Sequence, residues 1–211
     1  RDPFYLVGKK PGIAFDLRNL LQARLGSVSE VPTPWLCLQQ DLRDLGLDPT
    51  HVVRIPDRTM ADNLDGLRSD DIDIAQMFEP FVDQSISEGF DILYAQSSRG
   101  PTSYTTFTAT PDGMLRHRDA FTRMTRAVAR TQAWIESHTA GDFAQVANAF
   151  FPAISAERLT GAFARYKQAK VWADDTVVSR KGFDRLAQSL QTGGFIASRP
   201  DYDACVVNLP A

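Results

Sequence analysis

Cysteine is nearly absent from this 211-residue chain, which contains only Cys37 and Cys205. Neither cysteine belongs to a CxxC motif or to a cluster with histidine, so a zinc site is not expected. The two could form one disulfide in an oxidising compartment, but two separate buried thiols are the favoured prediction. The histidines His51, His117 and His138 are dispersed, and none accompanies a recognisable nucleophile motif. The sequence thus predicts no metal and no cofactor.

An excess of charge and long apolar runs are missing as well. The formal net charge is −3, which leaves no basic surplus to hold nucleic acid or an anionic membrane. No apolar run approaches the roughly 18 residues needed to span a bilayer. With 43% hydrophobic and 23% charged residues, the composition is that of an ordinary soluble globular protein.

The chain also shows no signal peptide and no initiating methionine. It begins Arg1-Asp2-Pro3, almost directly in a strand-like run. We interpret it as a mature or truncated piece, so the missing signal carries no information about export.

The first half of the chain alternates strand-like runs with amphipathic helices. The runs are Phe4–Gly8, Leu25–Val28, His51–Ile55, Asp71–Ala75 and Asp91–Tyr94. Thr33 is predicted to be a helix N-cap with Pro34 in the first helical position, and Gly46 to end that helix. Thr59 and Asp62 resemble a capping box. Such alternation predicts a parallel sheet with crossover helices.

The second half is predicted to be helical, after a further extended run at Ser103–Thr108. Helices are expected at Arg118–His138, Asp142–Phe150, Ala156–Lys170 and Lys181–Leu190. One sheet-forming lobe is nearly complete between about Gly26 and Tyr94. The strands at either end of that block have no obvious sheet to join and suggest a second lobe whose other strands are missing.

Several short motifs follow one another along the chain. The most telling are "GLDP" at a helix end, "IDIAQMFEPF", and the later "GFDRL" followed by "GGFI". This ordered series resembles the nitrate/sulfonate/taurine and thiamine-pyrimidine-precursor group of ABC transporter substrate-binding proteins. Members of this group normally carry roughly a hundred more residues on the N-terminal side.

The resemblance implies an α/β, type II periplasmic binding protein-like fold with two lobes, a hinge and an incomplete first lobe. Residues 1–25 would be part of lobe 1 and residues 26–95 would form lobe 2. Residues 96–211 would supply the return crossing strand and C-terminal helices, mainly of lobe 1. Such proteins bind ligand between the lobes and close by a hinge motion.

The loop that leads into the Trp35 helix is the first candidate binding site. Unpaired backbone N–H groups at a helix N-terminus accept anions or polar oxygens. Ser29 and Thr33 add hydroxyl groups, Glu30 lies in the same loop, and Trp35 adds a flat apolar wall. The alternative is a plain capped helix with Trp35 in the core.

Further candidates follow along the chain. Glu79, in an "EP" pair at a strand end, is either a buried anchor for a cationic or amide-bearing ligand or a structural residue bonded to backbone. Arg99, Ser103, Tyr104 and Thr105 lie on or near the predicted crossing strand, and Tyr suits a pocket wall. Met60 could line the cleft. The acidic residues Asp70, Asp71 and Asp73 lack the calcium-loop pattern and are expected at a solvated strand edge.

The leading functional prediction is the periplasmic or extracytoplasmic solute-binding component of an ABC importer, not an enzyme. Its partners would be a small polar organic or anionic ligand and a membrane permease, with no nucleic acid. The alternative is the ligand-sensing effector domain of a LysR-like transcriptional regulator. Pyrimidine synthases of the thiamine-pyrimidine branch carry a cysteine-rich iron-binding motif that this sequence lacks.

Overall fold

The computed structural model describes residues 1–10, 12, 14–28 and 31–211, and these divide into two compact units. The sheet unit comprises Asp2–Arg99 and Gln188–Ser198. The helical unit comprises Arg1, Gly100–Ala187 and Arg199–Ala211. The sheet unit begins at Asp2, so its start does not coincide with the boundary after residue 25 expected from the sequence.

The described residues of the sheet unit form one sheet of five strands. These are β1 (Tyr5–Gly8), β2 (Arg24–Val28), β3 (Val53–Arg58), β4 (Ile74–Met77) and β5 (Asp91–Ala95), in the order β3-β2-β4-β1-β5. β2 pairs in parallel with β3 and β4, whereas β1 runs antiparallel to β4 and β5. The strand at the start of the chain, which seemed to lack a sheet, therefore joins this one between β4 and β5.

Three helices connect these strands: α1 (Thr33–Asp44), α2 (Met60–Arg68) and α3 (Phe81–Ser87). The predicted alternation of strand and helix is confirmed, with β1 as the antiparallel exception. One hydrophobic core lies between α1 and the sheet, since leucines at helical spacing meet strand residues that point to the same face. Its buried members are Leu6, Leu17, Leu20, Leu25, Leu38, Leu42, Val52 and Ile74.

In the sheet unit, the predicted helix end at Gly46 and the predicted capping box at Thr59 agree with the structure, but the predicted N-cap at Thr33 does not. This residue is the first of α1, and the N-cap is Pro32, whose side chain cannot accept a hydrogen bond. The prediction of a Thr33 cap was therefore wrong by one position. Gly46 adopts a φ of 73° just after α1, a conformation that glycine tolerates best. The capping box of Thr59 and Asp62 at the start of α2 is confirmed.

β3 forms an edge of the sheet and carries features that discourage pairing with another strand. Pro56 has no N–H to donate, and Asp57 adopts a φ of 61°. The register with β2 shifts between Gly26 and Val28. Proline and local irregularity of this kind are typical of protected edge strands.

The helical unit contains no strand among its described residues. Its helices are α4 (Pro111–Arg116), α5 (Arg118–Ser137), α6 (Ala140–Ala147), α7 (Ala156–Gln168) and α9 (Tyr202–Cys205), and the boundary of the unit falls within α8 (Arg180–Thr192). The prediction of an extended strand at Ser103–Thr108 was wrong, because this segment has no strand pairing.

Aromatic side chains hold α6 and α7 together. The rings of Phe143 and Phe163 stack with centroids 4.0 Å apart, and Trp172 packs against Phe143 at 5.2 Å. The ammonium group of Lys167 donates hydrogen bonds to backbone carbonyls at the end of α5, including that of His138 at 2.5 Å. A cation at this position complements the negative end of the α5 dipole.

Few large apolar side chains are buried in the helical unit. Leu159 is buried, with alanines such as Ala144 and Ala162, while Phe107, Leu115 and Phe150 are 73 to 80% exposed. Among the described residues, no helix combines the length and the apolar character that crossing a bilayer requires. The cysteines are separate thiols, as predicted; Cys37 is buried, but Cys205 is exposed, contrary to expectation.

Candidate functional site

One edge of the sheet collects the starts of three helices. Because β2, β3 and β4 are parallel, their carboxyl ends at Val28, Arg58 and Met77 lie at the same edge. The helices α1, α2 and α3 begin a few residues after these strand ends. In open α/β sheets this is the edge at which ligands bind, because backbone N–H groups and polar loop side chains converge there.

The start of α1 brings an indole and a guanidinium together. The guanidinium carbon of Arg54 lies 5.2 Å from the ring centroid of Trp35, and Arg54 Nε donates to Ser27 Oγ at 2.5 Å. Trp35 is only partly buried and packs against the core cluster. The first turn of α1 is also tied to the sheet, since Gln76 Nε2 donates to the Pro34 carbonyl at 2.9 Å.

The start of α2 is closed by its own capping box. Asp62 accepts hydrogen bonds from the N–H and the hydroxyl group of Thr59 at 2.9 and 2.8 Å, and these bonds lower the pKa of Asp62. Met60 follows directly and is 5% exposed. Its side chain belongs mainly to the packed interior beside this edge.

Glu79 marks the start of α3. Its side chain is 8% exposed, and Oε2 accepts a hydrogen bond from the backbone N–H of Asp83 at 3.0 Å. The Glu79–Pro80 peptide bond is cis. Of the two roles considered for Glu79, the structure displays the bond to backbone, while contact with a ligand stays a prediction.

Arg99 is held in a buried cluster of charges. Its Nε donates to both carboxylate oxygens of Asp41 at 2.9 and 3.0 Å, and Nη1 and Nη2 pair with Asp2 and Asp41. The Arg99 side chain is 3% exposed. Burial opposes the charge, but the hydrogen bonds that Arg99 donates to Asp41 and the charge of Asp2 raise the pKa of Arg99 overall.

A buried chain of amides connects this cluster to α1. Gln96 Nε2 donates to Asp2 Oδ2 at 3.2 Å, and Gln96 Oε1 accepts from Gln76 Nε2 at 2.7 Å. Gln76 in turn bonds the Pro34 carbonyl. Asp2 and both glutamines are 0% exposed, so these hydrogen bonds take the place of water for the groups that make them. Among the described residues, Gln76 Oε1 has no hydrogen-bond partner.

The remaining predicted site residues lie elsewhere. Ser103, Tyr104 and Thr105 belong to the helical unit, where the Ser103 backbone N–H donates to the Gly182 carbonyl at 3.0 Å and Thr105 is exposed. Ser29 and Glu30 lie outside the described residues. Thr33, Trp35, Met60 and Glu79 share the carboxyl edge of the sheet; whether they touch a ligand stays a prediction.

Sequence reasoning missed Arg54 and the amide chain. One signal was present for Gln76, which stands within the apolar run Ile74–Met77 and is therefore a polar residue at a core position. Arg54 carried no comparable signal, because a charged residue in an edge strand is ordinary.

The opposite edge of the sheet bears a pocket of about 360 Å³. Its walls are largely apolar and include Phe15, Leu67, Ile72, Phe90 and Leu93. Asp70 and Asp73 line it as well, each paired with a cation, Lys9 and Arg24 respectively. The described residues contain no group of three or more histidine, cysteine or carboxylate side chains arranged to hold a metal ion.

Comparison with known proteins connects this architecture to a family. The sequence model of the NMT1-like family matches residues 16–149. This range is more than half of the chain and contains the strands β2 to β5. The chain belongs to the NMT1-like family. Over 133 residues it is 23% identical to YtlA of Bacillus subtilis, whose name describes a candidate binding protein; the match spans 62% of this chain and 40% of YtlA.

Solved structures share the fold over almost the whole chain. The ligand-binding component of an ABC-type import system from Staphylococcus aureus, solved with zinc bound, is 17% identical with a TM-score of 0.71. The match covers 98% of this chain and 68% of that one. The periplasmic aliphatic sulphonate-binding protein SsuA of Escherichia coli is 14% identical with a TM-score of 0.71, covering 99% and 66%. The binding-protein fold predicted from the sequence is thereby confirmed.

Proposed function

We propose that this NMT1-like chain is the solute-binding component of an ABC importer and captures a small polar organic or anionic molecule. The observation that carries the proposal is the carboxyl edge of its sheet, where three helices begin around Trp35 and Glu79. The same fold occurs in ligand-binding components of import systems. Its partner would be a membrane permease, and its location would be periplasmic or otherwise extracytoplasmic.

Binding rather than catalysis agrees with the chemistry of this edge. Hydrogen-bond groups and an aromatic wall are present, and a few well-placed polar groups in a partly desolvated site suffice for affinity. The alternative, an effector domain of a LysR-like regulator, is not favoured, because the family and the matched structures with a stated role concern binding proteins.

Thermal unfolding in the presence of solutes tests the proposal. The panel comprises nitrate, alkyl and aromatic sulfonates, taurine, pyrimidines and aromatic acids. A solute present at 100 times its dissociation constant stabilises the folded state by about 2.7 kcal/mol, which is a clear shift of the unfolding midpoint. Because the chain spans only about two thirds of the length of the matched structures, a version with its flanking coding sequence is measured beside it.

Matched tryptophan variants then locate the site. Trp35→Phe should weaken binding of any hit, since a smaller ring leaves part of the ligand surface uncovered. Trp172→Phe alters an indole of the aromatic cluster in the helical unit and serves as the control. A solute whose binding is weakened by Trp172→Phe and unchanged by Trp35→Phe would bind away from the carboxyl edge. The absence of any hit for both chain lengths would count against the importer function.

A further inference from the structure

Arg54 reaches towards the carboxyl edge of the sheet from near the start of β3. In the parallel pairing of β2 with β3, Arg54 lies opposite Leu25. Its Nε, however, bonds Ser27, two residues further along β2. The guanidinium therefore leans along the strand direction and ends beside Trp35 in the first turn of α1.

Arg54 has no carboxylate partner among the described residues; Arg43 of the same unit also lacks one and donates to Gln39, whereas several other arginines of the unit are paired. Arg18, Arg24, Arg68 and Arg99 each form an ion pair with aspartate or glutamate. Arg54 forms no ion pair with any described carboxylate, and within the described part of the chain only its Nε donates a hydrogen bond. The N–H groups on Nη1 and Nη2 are thus unused there.

Arg54 is a cation in a partly buried position. Burial lowers its pKa, while the charge of Asp57 acts in the other direction. The face of Trp35 attracts a cation but satisfies no N–H group. A partly desolvated guanidinium whose Nη1 and Nη2 bond none of the described residues is suited to an oxyanion, which accepts two parallel hydrogen bonds from these nitrogens.

We propose that Arg54, positioned by Ser27 and Trp35, binds the oxyanion group of the imported solute, a sulfonate, carboxylate or phosphate ester. This inference rests on the proposed function and assigns a ligand class to the same edge. At the same edge, Glu79 Oε2 accepts a hydrogen bond from the Asp83 N–H, which turns that oxygen towards the first turn of α3. The remainder of the solute would lie against the exposed part of the indole.

Titration calorimetry with the 211-residue chain tests the inference. The probes are ethanesulfonate, propionate and ethyl phosphate, each beside a neutral analogue: ethanesulfonamide, propionamide and ethanol. At least one anion should bind measurably more tightly than its neutral analogue. Arg54→Met should weaken that anion about 10-fold to 100-fold, the range expected for loss of charge-assisted hydrogen bonds. Arg54→Lys keeps the positive charge but loses the parallel N–H donors of the guanidinium. Its affinity for the anion should lie between those of the wild type and Arg54→Met.

The control is Arg18→Met, which removes an exposed arginine paired with Asp16 and should leave affinity unchanged. Urea unfolding of each variant without solute separates lost binding from lost folding. Three results would overturn the inference: no anion binds the wild-type chain, Arg54→Met and Arg18→Met bind equally well, or a neutral analogue matches its anion. Neutral nitrogen-containing solutes of the wider panel give a separate outcome. If they bind and Arg54→Met leaves their affinity unchanged, the importer function is supported and the proposed role of Arg54 is wrong.

Discussion

Asp2 and Arg99 are 97 residues apart in the sequence and form a buried ion pair. They are the first and last residues of the long segment that makes up most of the sheet unit. Asp41 of α1 completes the cluster, because its carboxylate accepts hydrogen bonds from Nε of the same guanidinium. The cluster therefore ties together the two ends of this long segment.

Removal of the Arg99 side chain is expected to destabilise the sheet unit strongly. Arg99→Met leaves Asp2 and Asp41 buried without a counterion, and breaking a buried pair in this way costs about 3–5 kcal/mol. Urea unfolding measures the change in the free energy of unfolding. Arg18→Met, at an exposed pair, should change it by less than about 1 kcal/mol. Equal effects of the two variants would show that the buried cluster stabilises the fold no more than an exposed ion pair does.

The two thiols should react very differently with Ellman's reagent. Cys37 is 0% exposed, and burial raises its pKa to about 12, so little thiolate forms at neutral pH. Cys205 is exposed. One thiol per chain should react quickly in the native protein and two after unfolding, and Cys205→Ser should abolish the quick reaction. Two quick thiols in the native protein would contradict the packing around Cys37.

Gly26→Ala should destabilise the protein by about 1–3 kcal/mol, because a new methyl group in this packed site forces its neighbours apart. A Cβ at this position would lie 2.4 Å from Asn63 Oδ1 and 2.5 Å from Ile72 Cδ1. Gly141→Ala is the matched control, since the nearest side-chain atom there is 3.6 Å away and alanine favours a helix. A neutral Gly26→Ala variant in thermal unfolding would show that α2 can move away from β2 without loss.

The capping boxes should make stability depend on acid pH. Hydrogen bonds from Thr59 lower the pKa of Asp62, so its ionised form stabilises the fold above the ordinary carboxyl pKa near 3.8. That contribution is lost as the pH falls through the lower, folded-state value. Asp62→Asn should therefore be less stable than the wild type at pH 7, and the difference should shrink below about pH 4.

Asp142→Asn provides an independent copy of this experiment. Thr139 and Asp142 form the same box at α6, and hydrogen bonds from Thr139 lower the pKa of Asp142. Urea unfolding between pH 7 and pH 3 measures both variants. A difference from the wild type that stays constant over this range would show that the charge of the capping aspartate is irrelevant.

Local signals predicted much of the fold. The capping box at Thr59, the glycine stop at Gly46 and the leucine spacing of α1 each depend on residues within a few positions of one another. The sequence named Thr33, Trp35, Met60 and Glu79 as separate candidates, and the parallel pairing of β2 with β3 and β4 put them at one edge. The prediction of a strand at Ser103–Thr108 was wrong, because a segment with extended propensity forms no β-ladder unless a neighbouring strand pairs with it.

By itself the sequence determined the alternating elements, because hydrophobic period, caps and turn residues act over short distances. The binding-protein fold was implied by the resemblance of its motifs to a known family. Only the tertiary structure decided that β1 inserts antiparallel between β4 and β5, and that Asp2 meets Arg99. It also decided that Arg54 leans onto Trp35 without a described carboxylate partner. These are pairings between distant segments, and they depend on which faces the folded sheet brings together and which charges it leaves out of water.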